Sequence, residues 1–477
     1  MSAPLGPRLQ IVQTCARHCV FGARLQRCTR LWLQRLYSTS PNKMLSLHDR
    51  GVLQTVFPEG SVPQLSHHLA KPQTVYCGFD PTSDSLHIGN LLAIIALLHC
   101  QAAGHTPMAL IGGATALIGD PSGKTTERLA MSTQDAESNV LKISENLERV
   151  AQNYTTHIIK DSGKQLSPLR ILNNMEWYKG KSVVQFLSTV GRHFRMGPML
   201  AKHSVQSRMS SPEGMSFTEF TYQIFQAYDW LHLLQEHQCS IQIGGNDQLG
   251  NIVAGYELIS KVSKQPVFGL TVPLVTSTTG DKLGKTAGNA VWLDPKKTSA
   301  FELYQFFINV ADADVVKYLK LFTFLPDQDI ASIMTKQQGA PENRVAQKKL
   351  AEQVTLLVHG DAGVEQALEW TKALYGGSIE ALASLQTTEL RQLFNQAPVR
   401  EMFLEPGMTI MDVCMKAGCF GRPVDAERII KAGGVYLNHQ RVQQPDFVLI
   451  PGQHVLSNNT TLIRVGKKNH YIVNWCH

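Results

Sequence analysis

Acidic residues are missing from the first 48 positions of this 477-residue chain. The same stretch carries Arg8, Arg17, Arg24, Arg27, Arg30, Arg35 and Lys43, interleaved with Ile11, Val12, Val20, Leu25, Leu31, Trp32, Leu33 and Leu36 and followed by Ser38, Thr39 and Ser40. An acid-free, arginine-rich amphipathic start has the composition of a mitochondrial presequence, assigned here to residues 1–43 and addressing the chain to the matrix. Arg17 and Arg24 interrupt any apolar core that a secretory signal would need. Long apolar runs are also missing: Leu91–Leu98 falls far short of the roughly 20 residues of a membrane helix, so no membrane role is expected. None of the nine cysteines forms a CxxC pair or joins a His/Cys cluster, which argues against a structural metal and a disulfide framework.

Two nucleotide fingerprints are absent as well. No GxGxxG follows a strand and opens a helix, and "LIGDPSGKTTER" (117–128) has Ile118 where a Walker A loop requires glycine. The net charge of +7 is an uneven surplus, since 7 of the 45 basic residues lie in 1–43 and the remaining 38 balance 38 acidic ones. Nucleic-acid binding therefore has to rest on local charge.

What is present reads as α/β. "QTVYCGFDPT" (73–82) is a strand running into a turn, "DSLHIGNLLAIIALLHCQAAG" (84–104) a buried helix and "PMALIGG" (107–113) a second strand, together a βαβ unit of a parallel sheet. "SIQIGGNDQLGNIVAGYELIS" (240–260) repeats strand, Gly-rich turn and helix, so a doubly wound, Rossmann-like catalytic domain is expected over 44–291. Helical spacing takes over from Trp292; the helix in "RVAQKKLAEQVTLLVHG" closes at Gly360, and a helical domain is expected over 292–397. In the last segment, 405–477, "PVDAERIIKAGGVYLNHQRV" reads as helix, Gly-Gly turn and strand of a small α+β module. It carries 8 basic against 5 acidic residues, and Tyr471 or Trp475 is a candidate for stacking on a base.

The chemistry-bearing residues gather at strand-to-helix junctions, where free helix N–H groups favour an anion. Alone, His87 at a helix start serves as a cap as readily as a ligand, and Lys282 and Lys285 in "TTGDKLGKTAGN" fit a solvated turn. Together, HIGN, GDPSGK, QIGGNDQ and KLGKT, in this order, resemble a class I aminoacyl-tRNA synthetase, HIGN matching the HIGH motif and KLGKT the KMSKS motif. The surrounding "YCGFDPTSDSLHIG", "FTYQIFQAYD" and "IQIGGNDQLGN" are similar to the bacterial-type tyrosyl-tRNA synthetases, over the whole chain after the presequence.

The resemblance implies roles. Tyr76 and Asp229 match the pair that holds the substrate phenol, which offers one donor and one acceptor. Asp120, Tyr222 and Gln226 match the surroundings of the substrate ammonium, and in "YQIFQAYD" a helix places Tyr222, Gln226 and Asp229 on one face. Gln242 is a polar neighbour of the substrate carboxylate or nucleotide. Gly78, Asp80, His87, Asn90, Gly245, Asp247, Gln248, Lys282 and Lys285 are implied on ATP, Asp247 on a ribose hydroxyl. His87, Asn90, Lys282 and Lys285 are the implied catalytic donors, with Lys124 and Arg128 assisting charge balance. Asn90 replaces the second histidine of HIGH; an amide still donates a hydrogen bond but carries no proton. Further implied are L-tyrosine, ATP with Mg²⁺ and tRNA(Tyr) as partners, a homodimer, an anticodon-binding role for the helical domain and an S4-like RNA-binding fold for 405–477. The tryptophanyl relative is disfavoured by the Tyr76 and Asp229 pair, and a scaffold that binds RNA without catalysis by the retained acidic and basic residues.

Overall fold

The computed structural model describes residues 44–477 except 125, 127, 129, 160–165, 277, 279–282, 284, 287–288, 376–377, 395–396, 468 and 477. The presequence and Lys282 lie outside the described residues. The chain divides into two compact units, one running to Ser299 and including Gln305–Gly360, the other made of Ala300–Tyr304 and Asp361–His477.

The first unit is built on a six-stranded sheet of β1 (Thr55–Phe57), β2 (Thr74–Phe79), β3 (Thr106–Ile111), β4 (Arg170–Asn173), β5 (Cys239–Gly245) and β6 (Phe268–Val272). The order is β1-β6-β5-β2-β3-β4, parallel throughout except that β1 runs antiparallel to β6. β3, β5 and β6 are buried almost end to end, as strands covered on both faces must be. α1 (Ile88–Ala102) follows β2, α2 (Thr133–Asn153) follows β3, and α3 (Phe217–His237) and α4 (Leu249–Val262) flank β5. Tyr76, Met108 and Leu110 face one layer with Trp230 and Leu234 of α3 and Ile252 and Leu258 of α4. α1 packs against β2, β3 and β5 but contributes nothing to that cluster, so it covers the other face.

This winding creates the site. From β2 the chain moves outward through β3 to β4, then returns to β5 and moves the opposite way to β6. Right-handed crossovers in opposite directions put α1 and α4 on opposite faces and leave a crevice above the carboxyl ends of β2 and β5. β7 (Lys285–Thr286) and β8 (Asn289–Ala290) then form a short hairpin.

The helices expected over 292–397 are shared between the units. α5 (Asp312–Phe322), which packs on α1, and α6 (Asp327–Gly339) belong to the first; α8 (Ile379–Ser384) and α9 (Thr387–Leu393) belong to the second. Between them, α7 (Val345–Tyr375) is two helices joined at Gly360, whose φ of +75° and ψ of −174° are not helical, so the first of them closes at this glycine as its sequence predicts. An apolar helix such as α1 needs covering on its outer side, and α5 supplies that cover.

The second unit has a five-stranded sheet of β9 (Val399–Phe403), β10 (Val435–Leu437), β11 (Gln440–Val442), β12 (Thr460–Val465) and β13 (Asn469–Cys476), ordered β11-β10-β12-β13-β9. α10 (Ile410–Lys416) and α11 (Pro423–Lys431) pack on one core with Val435, Ile463 and Val473, while Leu462 and Ile472 join Trp370, Leu382 and Leu393 in another.

Candidate active site

Tyr76 and Gln242 are adjacent in register on β2 and β5, so their side chains share a face, and both are buried. Tyr76 Oη and Gln242 Oε1 have no hydrogen-bond partner. Buried polar atoms are almost always paired in folded proteins, so two unpaired neighbours mark where a polar solute belongs. Gly78, two residues beyond Tyr76 on the same face, is exposed although its strand neighbours are buried, and a β-carbon there would meet nothing within 4 Å. A ligand can therefore lie directly against the backbone.

Helix α3 supplies the opposite wall. Asp229 accepts from Trp177 Nε1 at 2.8 Å, Tyr178 Oη at 2.9 Å and Asn174 Nδ2 at 3.0 Å. Burial raises its carboxyl to about 7 despite these donors. Burial, then the charge of Asp229, holds the Tyr76 hydroxyl well above its ordinary value, so Tyr76 stays neutral. Asp80, just past β2, accepts from Tyr222 Oη and Thr115 Oγ1, both at 2.7 Å, and is raised to about 6 by burial and then by the charge of Asp120. Asp120 accepts from Gln248 Nε2 at 2.7 Å and the Ser122 amide at 2.9 Å, and Asn251 Nδ2 bridges to Ser122 Oγ at 3.2 Å. These bonds tie the GDPSGK turn to the turn after β5. Two buried carboxylates, Asp120 and Asp229, and the partly exposed Asp80 around one cleft make it attractive to a cation such as an ammonium group.

At the crevice mouth, His87 is the N-cap of α1. Its Nδ1 accepts the Gly89 amide at 3.0 Å, and the His87 amide donates to Asn90 Oδ1 at 3.1 Å, completing a capping box. A β-carbon on Gly89 would fall 2.7 Å from the imidazole, so glycine is what lets the ring fold back. Because the amide can only donate, Nδ1 is unprotonated and the neutral ring carries its proton on Nε2. Asn90 likewise accepts through its oxygen and keeps its NH₂ as a donor.

The family model for tRNA synthetases class I (W and Y) matches residues 68–376. The chain is 53% identical to a mitochondrial tyrosine–tRNA ligase of Drosophila melanogaster, over 91% of this chain and 95% of that protein. It is 48% identical to the mitochondrial tyrosine–tRNA ligase of Homo sapiens, over 93% and 94% respectively. A C-terminally truncated mitochondrial tyrosyl-tRNA synthetase of Aspergillus nidulans superposes with a TM-score of 0.64 at 31% identity, covering 73% of this chain and all of that structure. The chain belongs to the mitochondrial tyrosyl-tRNA synthetases.

In this synthetase the fold brings most of the expected residues together. Tyr76, Asp80, Asp120, Tyr222, Asp229, Gln242 and Gln248 line or brace one crevice, and Gln226 is half-buried on the α3 turn between Tyr222 and Asp229. Gly245 and exposed Asp247 form the turn above β5, where a β-carbon on Gly123 would lie 3.6 Å from Asp247 Oδ2. Arg128 Nε donates to the Asp120 carbonyl at 3.2 Å, and Lys124 is exposed. Lys285 sits on β7, its backbone alone described.

One expectation is corrected. Trp475 cannot stack on a base, because its indole is buried in the second unit and donates to Thr461 Oγ1 at 2.8 Å. Sequence reasoning also missed Asn174, Trp177, Tyr178 and Thr115, the donors to Asp229 and Asp80. The available signal was "NNMEWY" beyond a strand end, a cluster of polar handles on bulky rings.

Proposed function

We propose that the crevice above β2 and β5 joins tyrosine to ATP, releasing pyrophosphate, and then passes the tyrosyl group to the 3′ end of tRNA(Tyr) in the mitochondrial matrix, to which residues 1–43 direct the chain. Tyrosine–tRNA ligation is the activity of the family; the residue roles are our reading. Tyr76 and Asp229 hold the phenol. A site built to bond a hydroxyl rejects the analogue that lacks one, and tyrosyl-tRNA synthetases are the standing example. The ammonium rests among Asp120, Tyr222 and Gln226, and Gln242 faces the carboxylate. ATP lies over Gly78 between the start of α1 and the turn at Gly245, with Asp80 and Gln248 beside it and a ribose hydroxyl on Asp247.

The tyrosine carboxylate attacks the α-phosphorus in line, and pyrophosphate leaves. Catalysis of this step is positioning and electrostatic stabilisation. His87 gives its Nε2 proton as a hydrogen bond, Asn90 its NH₂, and Lys282 and Lys285 their charge, with Lys124 and Arg128 balancing the phosphates nearby. Mg²⁺ enters on the nucleotide phosphates; among the described residues no group of three His, Cys, Asp or Glu converges to hold a metal. The observation that carries the reading is the unpaired pair Tyr76 Oη and Gln242 Oε1, buried beside an Asp229 already charged with three donors.

The anticodon-binding role stays with the helices of 292–397 and the S4-like role with 405–477. In the latter, Arg441, Tyr436 and Arg464 are register partners across β11, β10 and β12, with Arg464 stacked 3.7 Å over the Tyr436 ring, an arrangement suited to phosphate contact. A second copy of the chain is assigned to apolar side chains exposed over 183–217, namely Val183, Val184, Leu187, Met196, Met209 and Phe217. The chain lacking residues 1–43 is expected to exchange pyrophosphate into ATP with tyrosine only. Exchange driven by tryptophan, or by no amino acid, would refute the assignment.

A further inference from the structure

Two signature segments, HIGN and KLGKT, lie about 195 residues apart, yet the chain leaving the second is fastened onto the first. After the β7–β8 hairpin, residues 291–294 run beside 85–88. The Ile88 amide donates to the Val291 carbonyl at 2.9 Å, the Leu293 amide to the Leu86 carbonyl at 2.8 Å, and the Asp294 amide to Ser85 Oγ at 3.2 Å. His87 and Trp292 are opposed in an antiparallel bridge, their rings 6.3 Å apart. The Trp292 amide is turned away and held by Thr298 Oγ1 at 2.9 Å.

A side-chain clasp closes this zipper. Lys297 Nζ lies 4.7 Å over the Trp292 ring and ion-pairs with Asp84, three residues before His87 in the chain, while Lys142 of α2 reaches the other Asp84 oxygen at 3.5 Å. Asp84 is only partly buried, so the pair adds little stability by itself. Its geometry does something else. One lysine grips a ring that faces His87 at a tilt and a carboxylate on the turn that presents His87, so residues 292–297 and the start of α1 are fastened together.

We propose that Asp84, Trp292 and Lys297 are positioning residues that fix the turn presenting His87 at the start of α1 during tyrosine activation. They touch neither the unpaired Tyr76 and Gln242 atoms nor Asp229, so they act on the nucleotide end of the crevice and not on the tyrosine end. The inference rests on the role proposed above for His87.

The test is pyrophosphate exchange by Lys297→Met, Lys297→Arg and Trp292→Leu, with tyrosine affinity measured separately by calorimetry. Misplacing reacting groups by about an ångström costs up to ~100-fold, so Lys297→Met and Trp292→Leu are expected to lose roughly 10- to 100-fold in kcat/KM for ATP. Tyrosine affinity should stay within about twofold, and Lys297→Arg, which keeps the charge over the ring, should recover most of the loss. Asp84→Asn should add nothing to Lys297→Met in the double variant. Unchanged exchange in Lys297→Met and Trp292→Leu, or a parallel loss of tyrosine binding, would overturn the inference. His87→Ala is the control for the underlying reading. If it too leaves exchange intact, the site assignment fails; if it abolishes exchange while the clasp variants are neutral, only the clasp fails.

Discussion

The two units handle charge differently. The first, besides partly exposed pairs such as Lys349 with Glu352, withdraws some ions from water: Arg208 forks onto Glu219 at 2.7 and 2.9 Å with side-chain exposures of 0% and 4%, and burial raises Asp80 and Asp229 far above the ordinary carboxylate range. In the second, Arg422 with Asp425, Lys431 with Glu427 and Lys416 with Glu405 are largely solvent-exposed pairs on the surface. The difference follows from what each is proposed to read. A small solute is distinguished by one hydroxyl, which requires dry groups fixed in place beforehand; a polyanion is met by hydrated cations whose new partners are phosphates.

The contrast can be broken at its strongest point first. Arg208→Met strands Glu219 at the first turn of α3 and should cost about 3–5 kcal/mol of folding free energy in urea denaturation. A loss no larger than that of an exposed pair would erase the distinction between the units. Next, Tyr76→Phe removes a hydroxyl meant for the substrate and for nothing in the protein. It should lower kcat/KM for tyrosine roughly tenfold and narrow the preference over phenylalanine without lowering Tm. Unaltered discrimination would move the phenol elsewhere.

A third experiment sharpens the comparison through pH. Asp80 and Asp229 rise from 3.8 in the unfolded chain to about 6 and about 7 in the folded one. The folded, unliganded protein therefore binds extra protons across that interval, and its stability falls as pH climbs through it. A phenol hydroxyl donating to Asp229, and an ammonium group beside Tyr222 and hence near Asp80, both favour the ionised carboxylates, so the rise in Tm caused by tyrosine should grow between about pH 5 and about pH 7.5. A pH-independent rise would remove these carboxylates from substrate binding. The smallest effect belongs to the second unit. Arg441→Ala with Arg464→Ala should weaken tRNA binding modestly and flatten its log-log salt slope by about 2, with tyrosine activation untouched. An unchanged slope would take this row off the RNA.

Periodicity carried the reading of β2, α1 and β3, and the Tyr222, Gln226 and Asp229 spacing did place Tyr222 and Asp229 on the buried side of α3. Local rules suffice there because each element's pattern records which side is covered. They fail where a property belongs to a pair. Trp177 and Asp229 meet across 52 positions, and nothing in either segment announces the other. Trp475 misled for a related reason: an aromatic near a basic terminus looks available until the fold gives its indole N–H a buried partner. Gly360 was legible as the end of a helix because a glycine after a helical run admits the positive φ found there, but a second helix resuming directly beyond it was not.

The strand order has a consequence for how the molecule comes into being. β2 at Thr74–Phe79 pairs with β5 at Cys239–Gly245, and β1 at Thr55–Phe57 pairs, among the described residues, with β6 alone at Phe268–Val272. Pairings of such long sequence separation form late, since much of the chain must be gathered before they pay back their entropy. The crevice therefore has both of its walls only when the chain is available to fold as far as β6, about 270 residues in, and no shorter amino-terminal piece can close it.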